Sequence, residues 1–181
     1  MRMLKSVKSL EFNEELKREI LAMVAEDQRI RMGSKLDPKI DERHTKRLKE
    51  IIQRFGWPGK SLVGQEAADR VWLLVQHADH DIDFQRQALI LLQEAAKKGE
   101  VEKKYIAYLI DRIRVHCGQP QIFGTQFYVD DEGNFGPRRI EDRRRLGKRR
   151  KEYGLQPFVD YERAMQKLYG KFSKGKKLKK S

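Results

Sequence analysis

The chain has 181 residues, which is enough for one domain with a hydrophobic core and too few to predict two. Charged residues make up 37% of it, yet its apolar residues recur in periodic blocks, which excludes a wholly disordered chain. No segment has the apolar length of a membrane span, and the first ten residues lack the apolar core of a secretory signal, so we expect a cytoplasmic protein.

Five helices are predicted from the spacing of the apolar residues. Asn13 and Asp37 are expected to cap the first two helices, and Asp83 the fourth. Residues 71–75 of the third helix are apolar on every face, which predicts a central position for this helix. The five predicted helices cover about residues 12–32, 38–55, 61–76, 83–99 and 102–116.

After Pro120 the pattern changes. Residues 121–129 are rich in β-forming side chains, and residues 130–134 have the composition of a turn, so a short strand or hairpin is expected. Two short helices are predicted at 143–153 and 158–169. The fold class is therefore mainly α: a single-domain helical bundle of about five core helices, with a short β-hairpin or strand segment and two short C-terminal helices. We expect a flexible N-terminus over residues 1–10, a helical domain over 11–170 and a disordered basic tail over 171–181.

Polar side chains interrupt the apolar blocks at a small number of positions. Burying such a group without a partner costs about 1–3 kcal/mol, so these residues are expected to meet partners in the fold, and we predict that they converge on one cavity. The candidate catalytic residues are His77, Asp79 and Asp111. The candidate ligand-binding residues are Asp27, Arg31, Trp57, Gln85, Arg112, Gln121, Thr125 and Gln126.

His77 is the centre of this prediction. It is expected to act as an acid, a base or a hydrogen-bonding group, with Asp79 and Asp111 orienting its ring and with Arg31 and Arg112 binding an anion. The alternative is structural: His77 and Asp79 would form a hydrogen-bonded hinge that locks two helices together.

Metal and thiol chemistry have weaker support. His44, the pair His80-Asp81 and Asp111 resemble the ligand order of the HD phosphohydrolase superfamily. However, His44 lies in a charged stretch and His80 in a predicted hinge, so we predict no metal site and assign no cofactor. The single cysteine, Cys117, excludes an intramolecular disulfide, and we expect it to be a small core residue.

A set of short motifs resembles a family of small bacterial proteins of unknown function. The likeness covers about residues 12–165 and implies a mainly helical fold with a cluster of polar positions, but no activity. The motifs are Asp27-Gln-x-x-Arg31, Gly56-Trp-Pro58, Val63-Gly64, Gln76-His-Ala-Asp79, Phe84-Gln85, Tyr108-Leu-x-Asp-Arg112, Gly118-x-Pro-Gln121, Gly124-Thr-Gln126, Ile140-Glu-Asp142, Arg149-Arg150, Gly154-Leu155 and Tyr161.

The net charge of +13 is confined to two segments. Residues 138–151 hold nine basic residues and two acidic ones, and residues 171–180 hold six basic residues and no acidic one, so the rest of the chain is neutral. Such segments attract nucleic acid through its phosphates, and we expect RNA rather than DNA because no duplex-reading helix motif is present. The expected nucleic-acid contacts are Arg138, Arg139, Arg143, Arg144, Arg145, Lys148, Arg149, Arg150 and Lys151. The alternatives are a solvated charge run that aids solubility and, for residues 171–180, contact with an anionic membrane surface.

Two functional hypotheses follow. In the first, a polar pocket centred on His77 binds a small polar or anionic ligand, with hydrolytic chemistry as one form of its activity. In the second, the protein is an RNA-associated accessory protein that acts through the basic segments, and the polar cluster is structural.

Overall fold

The computed structural model describes residues 11–32 and 37–173. Helices account for 68% of the described residues, and the strands form one small antiparallel sheet, which confirms the mainly α prediction. The predicted flexible N-terminus, residues 1–10, lies outside the described residues, as do residues 174–181 of the predicted tail.

The secondary structure follows the predicted order. A short 3-10 turn, Arg143–Arg145, precedes α6. The elements are α1 Glu14–Met32, α2 Pro38–Phe55, α3 Lys60–Gln76, α4 Ile82–Lys97, α5 Lys104–His116, β1 Phe127–Val129, β2 Phe135–Pro137, α6 Leu146–Glu152 and α7 Phe158–Ser173.

The described residues can be divided into two compact units. The first unit comprises the described residues within Met1–His80 and Ile90–Val101, and the second those within Asp81–Leu89 and Glu102–Ser181. Helix α4 contributes its first turns to the second unit and its later turns to the first.

The first unit is built around α3, which packs against α1 and α2. This position agrees with the apolar segment 71–75, whose residues are all buried or half-buried, whereas the earlier turns of α3 keep an exposed polar face. Buried side chains from all three helices form the core, including Ile20, Leu48, Ile51, Val63 and Val71.

The helix N-termini agree with the predicted caps at two of three positions. Asn13 Oδ1 accepts the amide of Leu16 at 2.9 Å, and Asp37 Oδ1 accepts that of Lys39 at 3.1 Å. At α4 the prediction of Asp83 was wrong: Asp81 Oδ1 accepts the amide of Phe84 at 3.0 Å. The helix begins at Ile82, so Asp83 already lies inside its first turn.

The second unit packs α5, the hairpin, α6 and α7 around a small core. Its centre consists of Ala107, Phe123 and Leu155, with Tyr108, Ile110, Ile122 and Tyr153 packed against it. Strands β1 and β2 pair antiparallel with Tyr128 opposite Gly136. Helix α7 packs against β2 and α6.

Two further expectations differ from the structure. Helix α7 continues to Ser173, three residues into the predicted disordered tail. Cys117 is exposed rather than part of a core, because α5 ends at His116 and Cys117 lies in the C-cap, beyond the last buried turn. Within the described residues, no helix combines the length and the apolar character that crossing a membrane requires.

Gly64 interrupts α3 one turn after its start. Its φ of 76° and ψ of 162° belong to a region that residues with a Cβ rarely adopt. We expect Gly64→Ala to lower the free energy of unfolding by about 1–3 kcal/mol, because the Cβ of alanine is sterically strained in this backbone conformation. Urea denaturation measures this change.

Gly147→Ala is the matched control. Gly147 lies inside α6, and a Cβ there would have open space around it. Alanine should raise the free energy of unfolding by about 0.5–1 kcal/mol at this position. Equal effects of the two substitutions would contradict a special backbone requirement at Gly64.

Candidate functional site

The predicted site residues fall into two groups, one in each compact unit. The first unit contains Asp27, Arg31, Trp57, His77 and Asp79. The second unit contains Gln85, Asp111, Arg112, Gln121, Thr125 and Gln126.

Asp27 and His77 form the core of the first group. Asp27 lies on α1 with a side chain that is 1% exposed, and His77 follows the last residue of α3 with a side chain that is 13% exposed. The ring nitrogen Nδ1 lies 2.8 Å from Asp27 Oδ1. A buried carboxylate thus holds a histidine ring that still reaches solvent.

Arg31 joins this pair to α2. Its Nε lies 3.1 Å from Asp27 Oδ1, and its Nη2 donates to Asp41 Oδ1 at 2.7 Å. Asp41 was not predicted, since its position in the first turn of α2 gives no sign of a partner on α1. We call Asp27, Arg31, Asp41 and His77 the His77 cluster.

The cluster selects one tautomer of the histidine. His77 Nδ1 lies 2.9 Å from Arg31 Nε as well as 2.8 Å from Asp27 Oδ1. A guanidinium nitrogen can only donate and a carboxylate oxygen can only accept, so Nδ1 cannot satisfy both neighbours. An unprotonated Nδ1 would turn its lone pair towards the Asp27 carboxylate, which is unfavourable. The Nδ1–H tautomer is therefore favoured, with both Nδ1 and Arg31 Nε donating to Asp27.

Asp27, rather than Asp79 or Asp111, is thus the carboxylate bonded to Nδ1 of His77. Burial alone would raise the pKa of Asp27. The hydrogen bonds from His77 and Gln28, together with the charges of His77 and Arg31, outweigh burial and hold the pKa below its ordinary value. Asp27 is consequently ionised at neutral pH.

The other predicted residues of the first unit are less directly connected to this cluster. Asp79 is half-buried and lies in the turn that follows His77. Trp57 is buried in the turn after α2, and its indole Nε1 has no hydrogen-bond acceptor in the described part of the chain.

In the second unit, Asp111 organises a loop. It is fully buried on α5, and its two oxygens accept the amides of Ile122, Phe123 and Thr125 and the hydroxyl of Thr125 at 2.6–3.1 Å. Burial raises the pKa of Asp111, and these hydrogen bonds oppose that effect. The carboxylate fixes the backbone that follows α5, and we call residues 121–126 the Asp111 loop.

Gln121 and Gln126 hold the same loop. Gln121 Oε1 accepts the amide of Gln126 at 2.8 Å, and its Nε2 donates to the carbonyls of Gln126 and Arg138 at 3.0 and 2.8 Å. Gln126 Nε2 donates to the Thr125 hydroxyl, while its Oε1 accepts from Arg112 Nη1 at 3.2 Å. Gln85 is fully buried on α4. The side-chain amides of Gln121 and Gln126 are therefore engaged with the loop itself and with Arg112 and Arg138.

The basic segment, residues 138–151, contains both buried and exposed basic side chains. Arg150 is 1% exposed, its Nε donates to the carbonyl of Gln156 at 2.8 Å, and its Nη1 donates to that of Phe123. Burial lowers the pKa of Arg150, while nearby Tyr108, Tyr161 and Asp111 oppose this effect. Arg149 donates to the carbonyls of Ile122, Glu141 and Asp142 at 2.6–2.9 Å.

These contacts separate the nine predicted nucleic-acid contacts into two classes. Arg149 and Arg150 support the fold and are not free to bind phosphate. The exposed members are Arg138, Arg139, Arg143, Arg144, Arg145, Lys148 and Lys151.

No group of three or more histidine, cysteine, aspartate or glutamate side chains suited to a metal ion occurs within residues 11–32 and 37–173. His44, which the sequence suggested as a possible metal ligand, is buried on α2, and its Nε2 lies 2.9 Å from Glu26 Oε2.

The lowered pKa of Asp27 predicts an acid-sensitive contribution to stability. Because the folded pKa lies below the unfolded value of about 3.9, the contribution is complete above that pH and is lost as the pH falls through the folded pKa. We expect Asp27→Asn to lower the free energy of unfolding by about 3 kcal/mol at pH 7, and by much less near pH 2–3. Urea denaturation at several pH values tests this.

Asp83→Asn is the control, since the Asp83 side chain is 79% exposed and its ion pair with Arg86 lies on the surface. It should change the free energy of unfolding by less than about 0.5 kcal/mol at either pH. A pH-independent effect of Asp27→Asn would contradict the assigned charge.

A second prediction concerns Asp111. In Asp111→Asn, an amide NH2 group that can only donate replaces one acceptor oxygen and faces backbone donors, so we expect a loss of about 2–4 kcal/mol in the free energy of unfolding. Hydrogen exchange at the amides of Ile122, Phe123 and Thr125 should accelerate. Asp131→Asn, the same change on an exposed turn, should stay within about 0.5 kcal/mol. Unchanged amide protection in Asp111→Asn would rule out the organising role.

Comparison with known proteins gives one match. Neither the curated proteins nor the solved structures provide a significant one. Residues 14–174, which include all of the predicted catalytic and ligand-binding positions, match the Family of unknown function (DUF6624). The chain belongs to the DUF6624 family, in agreement with the resemblance inferred from its motifs.

Proposed function

We propose that the His77 cluster is a binding site for a small polar ligand and that its chemistry is hydrolytic, with His77 as the proton acceptor. The observation that carries the proposal is the 2.8 Å contact between His77 Nδ1 and the buried Asp27 carboxylate. Nε2 of the same ring has no hydrogen-bond partner in the described part of the chain. A buried carboxylate behind a solvent-accessible imidazole is the arrangement used in general base catalysis.

The tautomer determines what the ring can do. With the proton held on Nδ1 by Asp27, Nε2 carries a lone pair and accepts a proton or a hydrogen bond from whatever lies in front of it. A water molecule in that position becomes more nucleophilic as Nε2 withdraws its proton. Asp27 remains ionised and stabilises the imidazolium that forms. Asp27 is therefore the positioning residue and His77 the catalytic residue of the proposal.

The charges of the His77 cluster limit the chemical class of ligand that it can bind. Arg31, which the sequence analysis assigned to anion binding, already contacts Asp27 and Asp41. With a neutral imidazole, the four residues of the His77 cluster carry a net charge of −1. A ligand that offers a hydrogen-bond donor, such as a hydroxyl group or a bound water, fits this environment better than an anion does.

The structural alternative makes a different prediction. If His77 only links α3 to α1, its whole contribution to stability comes from the hydrogen bond of Nδ1. In His77→Asn the side-chain amide can still donate to Asp27, while nothing replaces Nε2. His77→Ala removes both groups. Comparing the two variants separates the fold from the chemistry.

We expect His77→Asn to stay within about 1 kcal/mol of the wild type in free energy of unfolding, and His77→Ala to lose about 2–3 kcal/mol. In hydrolysis of p-nitrophenyl acetate, a general ester probe, His77→Asn should lose at least about tenfold in the protein-dependent rate, within the usual range for a general base. Stopped-time absorbance of p-nitrophenolate measures this rate.

His116→Asn is the matched control, because His116 is an exposed histidine at the end of α5 and no carboxylate of the described residues contacts its ring. It should retain the wild-type rate. Equal losses in the two variants would refute a special role of His77. A two-bond proton–nitrogen spectrum gives an independent check, since it should identify Nδ1 as the protonated nitrogen of His77 in the wild type.

The second candidate is association with RNA through the basic segment. It is supported by the seven basic side chains that remain exposed there, which can neutralise phosphates without cost to the fold. The remainder of the predicted tail, residues 174–181, would add to this attraction. Both candidates are compatible with the proposed cytoplasmic location. Cys117 is the single cysteine of the chain, so the fold needs no oxidising compartment to form an intramolecular disulfide.

A further inference from the structure

A pocket opens in the second unit, beside the end of α5 and strand β1. Its volume is about 280 Å³. Gly118, with φ of 71°, ends α5 and turns the chain so that the next residues form one wall. The lining residues that matter here are Val115, Gln119, Pro120, Tyr128, Arg138 and Arg139.

The backbone around this pocket is held in place by hydrogen bonds. The amide of Arg138 donates to the carbonyl of Gln126 at 3.0 Å, and its carbonyl accepts from Gln121 Nε2 at 2.8 Å. The carbonyl of Arg139 accepts the amide of Gln121 at 2.9 Å. The buried Gln121 thus anchors both arginines, and their side chains extend from a fixed backbone.

The pocket is positively charged. Arg138 and Arg139 are exposed, and no carboxylate forms an ion pair with either of them within residues 11–32 and 37–173. The neighbouring acid, Glu141, is paired with Arg114, and Arg114 also donates to the carbonyl of Pro120 at 2.7 Å. Two uncompensated guanidinium groups beside a concave surface favour a phosphate group.

An aromatic ring lies beside these cations. Tyr128 is 39% exposed, and the guanidinium carbon of Arg138 lies 4.5 Å from the centre of its ring. An exposed tyrosine next to arginine is a surface on which nucleic-acid bases stack.

We propose that this pocket binds one nucleotide unit, with the base on Tyr128 and the phosphate between Arg138 and Arg139. Its volume is near the lower limit of about 300 Å³ for small-molecule sites, which suits a single nucleotide. The nucleotide can be free or part of single-stranded RNA. In the RNA case the inference rests on the second candidate function and adds a defined base-binding position to it. It is independent of the His77 cluster.

The first arm of the test uses uridine 5′-monophosphate, uridine and inorganic phosphate as separate probes in nuclear magnetic resonance titrations of the full chain. Shifts should localise to the amides of Gln119, Tyr128, Arg138 and Arg139. The monophosphate should bind at least about fivefold more tightly than uridine or phosphate, because it alone uses both parts of the pocket. Absence of these shifts up to about 10 mM, the range of very weak affinity, would overturn the proposal.

Substitutions separate stacking from charge. Tyr128→Leu should weaken the monophosphate by about tenfold while leaving phosphate unchanged, and Tyr128→Phe should restore binding. The double variant Arg138→Gln with Arg139→Gln should weaken the monophosphate by at least about tenfold. Lys46→Gln with Lys98→Gln, the same charge change at exposed positions outside both the pocket lining and the basic segment, should weaken it by less than about twofold. Equal losses in the two double variants would reduce the effect to net charge and refute the site.

The second arm uses fluorescein-labelled decauridylate and anisotropy at about 0.15 M salt. Weaker RNA binding in Tyr128→Leu than in Tyr128→Phe supports the pocket as an RNA position. If RNA binds and Tyr128→Leu has no effect on it, the second candidate stands and RNA does not use the pocket. If the monophosphate binds and RNA does not, the pocket stands as a nucleotide site and the second candidate fails.

Discussion

A carboxylate buried on a helix must be surrounded by hydrogen-bond donors, and each unit contains one. Asp27 on α1 and Asp111 on α5 are both at most 2% exposed, so each would be strongly destabilising if left alone. The donors that surround them differ in kind. Asp111 takes mainly backbone amides of the Asp111 loop, whereas Asp27 takes the side chains of His77, Arg31 and Gln28.

This difference determines which carboxylate supports chemistry. A backbone amide that donates to Asp111 has no further group to offer, so satisfying Asp111 yields an ordered loop and nothing that faces a ligand. A histidine that donates to Asp27 through Nδ1 keeps its second nitrogen, and the same hydrogen bond fixes that nitrogen as an acceptor. The same physical requirement thus produces a structural element in one unit and a reactive group in the other.

The sequence predicted local structure well, because the signals are local. Asp37 followed by Pro38 fixes the start of α2, and Asn13 caps α1 as predicted. It predicted the α4 cap wrongly because Asp81 and Asp83 have the same capping chemistry, and the choice depends on where the helix begins. It selected Asp27, Arg31 and His77 as polar interruptions, yet it could not pair Asp27 with His77 across 50 positions.

Charge patterning was informative about composition and misleading about exposure. Arg149 and Arg150 are adjacent members of a basic run, and their charge does not distinguish them from Arg144 or Lys148, although the pair is one of the motifs on which the family resemblance rests. Only the fold shows that carbonyls left open by the Asp111 loop, including those of Ile122 and Phe123, are satisfied by these two guanidinium groups. A long, multiply donating side chain suits that task, because it reaches several acceptors at once.

The arginines of the basic segment thus have two roles: some support the fold, and the exposed ones are proposed to attract phosphate. Neutralising all nine residues together would remove the attraction for phosphate. It would also leave the loop carbonyls that accept from Arg149 and Arg150 without hydrogen-bond donors. The resulting loss of binding would have two causes that cannot be separated. Because Arg150 is buried and Arg138 and Arg139 are exposed, the role of the segment in binding can be assigned only through its exposed members. The carbonyls of Arg138 and Arg139 are held by Gln121, so their side chains can be altered without disturbing the backbone that presents them.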